Sequence, residues 1–516
     1  MWSSPRCRHR CRASISAHSG ANVMNHETER VQRVRGLGAT AATYYKPAVW
    51  PPVLEADPLF SVDRHVIAAS VDAIADERGL EQYIGELAST RPLQTDRPLW
   101  EVLFVEHYGG DLGAGTGASS GTGGGANGGT RSNAGNGGSV SGSGGGGNGI
   151  NGGSGGRGDS GSLLVVRVHH SMADGLALGS LLRHLVDPDC REAALPAAFH
   201  RVGVKRRPGL AQRALLLARL IVFPLVLLVR LLLPADRNRL KAAPSGVKAA
   251  AVNRSIPLAD LKRVKNGLGV TVNDILMACA SAALRAWLVD LAGVEGGAPP
   301  RIKAAVPISV RTSIGETTLN NAVGVAHVPL HTDVGGGGGG GSADGGAAAR
   351  LAATVKTFKW LKTSPEGLGI YWSEILVGML GRTLYKATAS IFACKSTILV
   401  SNLPGPDTSV RIAGKRMTSI VFWGCAPGDV CVYLTFMTYD RKVNIGALVD
   451  TSVADSAQPL VDGILAEFDV YRKLAAASAA SAVAEGESAR TAPGNGKKDS
   501  GGTMRKGTGV ETLAKS

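Results

Sequence analysis

The stretch that most constrains this chain is LLVVRVHHSMADGLALGSLLRHL, Leu163 to Leu185. Leu163 to Val168 is a run of β-branched and aliphatic residues that predicts a buried strand, and Gly175 to Leu185 carries apolar residues at helical spacing. His169 and His170 therefore fall where a strand ends and a helix begins. A loop in that position is held rigidly on both sides while its side chains can face a cleft. Neutral imidazole near pH 7 can take a proton from a hydroxyl, so the loop offers a candidate general base. Asp174 can bend back to hold the turn, and Gly175 is expected to supply a backbone angle that other residues resist. Alternatively, both histidines are hydrogen-bonded strand-end residues with a structural part only. Four fixed positions in one strand-loop-helix context favour the chemical reading.

Much of the 516-residue length is low in complexity: Gly109 to Gly161, Gly335 to Ala349 and Ala475 to Ser516 are rich in Gly, Ser and Ala. Such tracts bury too little apolar surface to offset the entropy of ordering them. The first two lie between apolar segments and are expected to be loop expansions, since doubling a flexible loop costs only about 0.6 kcal/mol. The predicted organisation is a disordered or targeting N-terminus over 1–40 and an N-terminal lobe over 41–200 with a disordered insert at 109–161. A basic linker over 201–250 follows, with a hydrophobic helix at 214–234, then a C-terminal lobe over 251–474 with a glycine-rich loop at 335–349, and a disordered tail over 475–516.

A formal charge of +15 raises nucleic acid, an anionic membrane and phosphorylated substrates as partners. No zinc-ligand spacing, RNP-like aromatic motif or recognition-helix pattern occurs, so neither nucleic acid nor a metal is expected. Seven scattered cysteines argue for a reducing compartment and against a disulfide framework. The Arg-rich start, without an acidic residue before Glu27, has the composition of a transit peptide or of an unstructured leader.

HVIAAS predicts a strand, GLEQYIGELAST a helix with Leu80, Tyr83, Ile84 and Leu87 on one face, and WEVLFVEHY a strand able to pair with LLVVRVHH. Ala214 to Pro234 is the most hydrophobic segment. Its uncharged run is about half of the roughly 20 residues that span a bilayer. With Arg219 and Arg230 on nearly one face, it suits a helix lying in a membrane surface, with a single span and a buried helix between the lobes as the alternatives. In the second lobe an apolar helix begins near Val272, where Asn273 or Asp274 would cap it. Helices at Ala348 to Thr363, Tyr371 to Ala387 and Asp455 to Ala475 are expected, with strands at Arg301 to Arg311, Ser419 to Gly424, Val430 to Met437 and Val443 to Val449.

Pro98-Leu99-Trp100, HHSMADG, VNDILMACASAALR, Asn321-Ala322-Val323-Gly324 and Ser401-Asn402-Leu403-Pro404-Gly405-Pro406 occur in that order. The set resembles the motifs of the wax ester synthase/diacylglycerol acyltransferase family, nearer its plant and algal type, within the CoA-dependent acyltransferase superfamily. The DFGWG segment of plant soluble alcohol acyltransferases is missing. The family's usual N-terminal strand and helix is replaced by the Arg-rich stretch.

This resemblance implies an α/β fold of two chloramphenicol-acetyltransferase-like lobes, mixed sheets with flanking helices, and an active-site tunnel between them. It implies transfer of a fatty acyl group from acyl-CoA to a long-chain alcohol or to diacylglycerol. His170 would be the base, His169 its support, Asp174 and Gly175 would fix the loop, and Asn273 beside Asp274 would donate toward the oxyanion. Ser401, Asn402, Pro404 and Gly405 would form a turn that meets substrate. Acyl-CoA is then a co-substrate, with no bound cofactor. A membrane surface or lipid droplet is the expected location, at the endoplasmic reticulum, or the plastid if the N-terminus is a transit peptide. The alternatives are a catalytically silent lipid-binding or membrane-surface protein of the same fold and an acyltransferase for another hydroxyl.

Overall fold

The computed structural model describes residues 43–46, 53–57, 59–68, 74, 76–94, 96–108, 161–194, 210, 232, 235–292, 300–311, 321–334, 343–364, 366–424 and 428–491. The N-terminal 1–40, nearly all of the insert 109–161, loop residues 335–342 and, apart from Leu232, the hydrophobic segment 214–234 lie outside the described residues.

The first lobe opens with a hairpin of β1 (Thr43–Lys46) and β2 (Val53–Ala56). Next come β3 (Val66–Ala68), α1 (Glu77–Ser89), β4 (Trp100–Tyr108), β5 (Gly161–Val168) and α2 (Gly175–Leu185). Its three-stranded sheet has the order β3-β4-β5, with β3 parallel and β5 antiparallel to β4. The long glycine tract therefore joins two paired neighbours, as expected of a loop expansion.

The second lobe starts with a strand not anticipated from the sequence, β6 (Lys248–Pro257). After it come α3 (Leu258–Gly267), α4 (Val272–Ala292), β7 (Ile302–Ser309) and β8 (Val323–Leu330). The chain continues as α5 (Ala343–Thr363), α6 (Glu366–Met379), α7 (Arg382–Ala393), β9 (Ile398–Leu403) and a small hairpin of β10 (Arg411–Ile412) and β11 (Lys415–Arg416). It ends with β12 (Val432–Tyr439), β13 (Lys442–Asp450) and α8 (Gln458–Thr491). The six-stranded mixed sheet runs β6-β13-β12-β9-β7-β8.

Successive side chains on these strands point to opposite faces, and both faces are buried. Val432, Leu434 and Phe436 of β12 enter the core that also holds α4 and α8. Tyr433 points the other way, into a second core shared with Leu80, Ile84 and Leu87 of α1 and Leu103 and Val105 of β4. The first lobe thus lies against the back of the second lobe's sheet. Helix α1 also covers the free edge of β6: the Lys248 amide donates to Ser89 Oγ at 2.8 Å and the Val252 amide to Glu81 Oε1 at 3.1 Å. Covering an edge satisfies its backbone groups and blocks pairing with other chains.

Val272–Asp290 is long and apolar enough to cross a bilayer, but 72% of it is buried, where it packs on α5 and α8 as a core helix. Four expectations are corrected. Helix α5 begins at Ala343, inside the tract read as a glycine loop to Ala349, because Ala343 and the alanines from Ala347 sustain a helix into the apolar run that follows. Helix α8 continues to Thr491, through much of the tract read as a disordered tail, since its alanines are strong helix formers. The single helix expected at Tyr371 to Ala387 is two, broken at Gly381, whose φ of 124° no helix accommodates. The strand expected at Ser419 to Gly424 does not form.

Candidate active site

The HHSMADG loop is built from below. The His169 amide donates to Leu99 O at 2.9 Å, and the Met172 amide to His169 O at 3.0 Å, closing a turn. Met172 is buried against Leu99 and Trp100, so the Pro-Leu-Trp motif serves as the floor of the loop. Under the Trp100 indole lies His65, stacked with ring centroids 4.4 Å apart, its Nδ1 2.8 Å from Trp100 O. A carbonyl only accepts, so Nδ1 carries the proton. His65 is buried, and its Nε2 has no hydrogen-bond partner among the described residues.

The same loop is held from above by the second lobe. Asp174 caps α2, its Oδ1 accepting from the Ala177 amide at 2.9 Å. Its Oδ2 accepts from Arg311 Nη2 and from the Ala322 amide, both at 2.8 Å. Asn321 Nδ2 donates to the His170 carbonyl at 2.7 Å. Gly175 faces Leu403 of β9, whose Cδ1 would be 2.6 Å from an added Cβ. Gly175 is absent from the described residues with positive φ, so its smallness serves a close approach between lobes and not the unusual backbone angle expected.

Both histidine side chains are left exposed at this junction. His169 Nδ1 lies 2.7 Å from Ser171 Oγ and accepts from the Ser171 amide at 3.2 Å. That amide fixes Nδ1 as an acceptor and leaves the proton on Nε2. Desolvation, and secondarily the neighbouring His170, lower the His169 pKa below the ordinary histidine value, keeping the ring neutral. Among the described residues, His170 is hydrogen-bonded through its main chain, and its imidazole is exposed.

The N-terminus of α4 is capped by Thr271, not by Asn273 or Asp274. Asp274 Oδ2 accepts from the Thr271 amide at 2.9 Å and from Thr271 Oγ1 at 2.7 Å, while the Asp274 amide donates to Thr271 Oγ1 at 3.3 Å, a reciprocal capping box. Asp274 is therefore a buried scaffold residue. Capping releases Asn273, whose Oδ1 accepts from Asn402 Nδ2 at 3.1 Å. With its oxygen engaged, the Asn273 amide nitrogen is the group left to donate.

Of the turn residues, Ser401 is buried on β9, beside Thr435 of β12. Gly405 lets the chain pass against the Thr438 carbonyl, and the Asp440 amide donates to Pro406 O at 3.0 Å. Pro404 and Gly405 thus shape a turn, while Asn402 reaches Asn273. Leu403 touches Gly175 and its neighbour Asn402 touches Asn273, so the histidine loop, the Asn-Asp helix start and the Ser-Asn-Leu-Pro-Gly-Pro turn converge.

The regions described as the wax ester synthase/diacylglycerol acyltransferase catalytic domain and the WS/DGAT C-terminal domain match residues 17–111 and 319–471. The chain belongs to the wax ester synthase/diacylglycerol acyltransferase family. The match begins inside the Arg-rich stretch, so the likeness to wax ester synthase/diacylglycerol acyltransferases extends further toward the N-terminus than the motifs alone indicate. Wax ester synthase/diacylglycerol acyltransferase 3 of Arabidopsis thaliana is 26% identical over 467 residues, covering 83% of this chain and 82% of its own. A Mycobacterium tuberculosis protein named for diacylglycerol O-acyltransferase activity is 25% identical over 441 residues, covering 80% and 74%. The wax ester synthase/diacylglycerol acyltransferase of Marinobacter aquaeolei VT8 shares the two-lobed fold, with a TM-score of 0.53 at 17% identity over 89% of this chain and 92% of that one.

Three contributors to the site had not been singled out. Arg311 follows directly on an apolar strand, where a guanidinium drawn into the interior needs a carboxylate. Thr271 begins a Thr-x-x-Asp pattern, the signal of a capping box. His65 has no sequence signal, because only the tertiary fold lays Trp100 over it.

Proposed function

We propose that this chain is an O-acyltransferase that moves a fatty acyl group from acyl-CoA to a long-chain alcohol or diacylglycerol, with His170 as general base. The observation that carries this reading is an exposed imidazole on a loop clamped by both lobes, its carbonyl bonded to Asn321. Acyl-CoA is a co-substrate here, not a bound cofactor.

In the proposed reaction the unprotonated nitrogen of His170 takes the acceptor hydroxyl proton as that oxygen bonds to the thioester carbonyl carbon. The carbonyl oxygen becomes an oxyanion, toward which the Asn273 amide nitrogen donates. Collapse re-forms the carbonyl and breaks the carbon–sulfur bond. The proton on His170 then passes to the CoA thiolate, giving ester and free CoA. A thiolate is a good leaving group, so no acyl-enzyme is required. His169, held neutral, supports the loop without competing for the proton. Both classes of acceptor are apolar, which supports action at a membrane surface or lipid droplet, with the endoplasmic reticulum as the proposed site.

Ester formation from palmitoyl-CoA, with hexadecanol and dioleoylglycerol compared as acceptors, tests the proposal. Product from the wild type that is lost in His170→Ala supports it and ranks the acceptors. Well-folded protein that esterifies neither acceptor overturns the substrates, and an undiminished His170→Ala variant overturns the base.

A further inference from the structure

The helices α6 and α7 form a hairpin whose buried residues, among those described, lie at its base. Gly367, Gly369 and Ile370 are buried, and Gly367 presses its backbone on Gly324 of β8. Beyond that turn, from Tyr371 to Phe392, none of the described side chains is fully buried. Met379 and Leu380 at the tip are 73% and 65% exposed, and Trp372 and Leu376 on α6 and Leu384 and Tyr385 on α7 are exposed with them. The turn itself is regular: the Leu380 amide donates to Leu376 O and Val377 O, and Gly381 takes up the positive φ that reverses the chain. Single exposed apolar residues need no explanation, but a contiguous set at a protruding tip marks an interaction site.

The charges beside this surface indicate what it meets. Lys359 and Lys362 are exposed on α5, which runs into the base of the hairpin, and Lys386 is exposed on α7. Between Trp372 and Ile391 the only acidic residue is Glu374. It keeps solvent contact by area yet is crowded by surrounding chain, and this desolvation raises its carboxyl to about 7, so it is readily neutralised. A second copy would set these lysines against their own counterparts, whereas anionic headgroups complement them.

We propose that the α6–α7 hairpin is a membrane-contacting element, its apolar tip entering the acyl region of an anionic leaflet while Lys359, Lys362 and Lys386 face the phosphate headgroups. The contact rests on the proposed function only in that acyl donor and acceptor would then lie in the same bilayer.

The test is sedimentation of the full chain with phosphatidylcholine vesicles, with and without phosphatidylserine. The wild type is expected to bind, more tightly with phosphatidylserine. Replacing Leu376, Met379 and Leu380 together by serine should weaken binding to both vesicles by roughly tenfold or more, because that apolar surface is no longer buried. Lys359→Glu with Lys362→Glu should remove only the gain from phosphatidylserine. Quenching of tryptophan fluorescence by brominated acyl chains, lost in Trp372→Leu, should locate the tip below the headgroups. A wild type that binds neither vesicle overturns the proposal, as does a triple variant that binds like wild type. So does a dimeric wild type that the triple variant converts to monomer, because the surface is then covered by a second copy. Esterification of dispersed short-chain substrates should be unchanged in the triple variant. Vesicle binding without any esterification would overturn the reaction and leave the membrane contact standing.

Discussion

Asp174 of the first lobe and Arg311 of the second form a buried ion pair, Arg311 Nη2 to Asp174 Oδ2 at 2.8 Å, with side chains only 6% and 12% exposed. One oxygen of Asp174 caps α2 and the other holds the partner lobe, so a single carboxylate fixes the histidine loop within its lobe and against its neighbour. Removing one partner of such a pair strands a buried charge. Arg311→Ala is expected to cost about 3 kcal/mol in denaturant unfolding and to depress turnover by disordering the loop. Arg311→Lys should recover part of both losses. A variant as stable as wild type would show that the pair is not needed.

Gly175 and Gly324 should respond differently to alanine. At Gly175 the obstacle is the end of the Leu403 side chain, which can be removed; at Gly324 it is the backbone carbonyl of Gly367, which cannot. Gly175→Ala is expected to cost about 1 to 3 kcal/mol, and Leu403→Ala in the same chain should return part of it. Gly324→Ala should be worse and no side-chain truncation should rescue it. Strictly additive losses at Gly175 and Leu403 in thermal unfolding would rule out the contact.

In the proposed reaction Asn402 is a positioning residue for Asn273. Its Nδ2 holds the Asn273 oxygen and turns the amide nitrogen outward. Losing one oxyanion donor slows a reaction by about a hundred- to a thousandfold. Asn273→Ala should therefore lower kcat on that scale with little change in KM, and Asn402→Ala should do the same to a lesser degree. A change confined to KM in either variant would make the pair a binding element.

Acid should loosen the floor of the loop. Desolvation lowers the His65 pKa below its ordinary 6.5, opposed by the hydrogen bond to Trp100 O. A depressed folded pKa means that the unfolded chain binds the proton more readily. The stabilisation is then complete above about pH 6.5 and is lost as pH falls through the lower folded value. His169 and His331, also depressed mainly by burial, act in the same direction. Urea midpoints recorded from neutral pH to pH 5 should fall for wild type and less steeply for His65→Phe. Parallel curves for the two proteins would remove His65 from the acid response.

The loop, its flanking strand and helix, the pairing of β4 with β5 and the two-lobed α/β class were all legible in the sequence. Strand and helix periodicities are local, and HHSMADG stands at a place where the period changes from strand to helix. The helix starts at Ala343 and Gly381 were missed because composition hides them: alanine beside a glycine tract looks like loop, and one glycine inside an apolar run looks like helix. Strand β6 was missed for another reason. Its alanines are weak strand formers, and it is held in place by β13 and α1 rather than by its own propensity.

The sequence by itself singled out the candidate residues, because residue type and the order of the motifs suffice to point to a histidine loop, its aspartate and an Asn-Asp helix start. Only the tertiary structure decided what each does to the others. It made Thr271 the cap and freed Asn273, paired Asp174 with Arg311 across the lobes, set His65 under Trp100, and gave Gly175 a partner in place of an angle. Apart from the Thr271 cap, which its Thr-x-x-Asp pattern encodes locally, these depend on residues far apart in the chain meeting at hydrogen-bond or van der Waals distance, which no local pattern encodes.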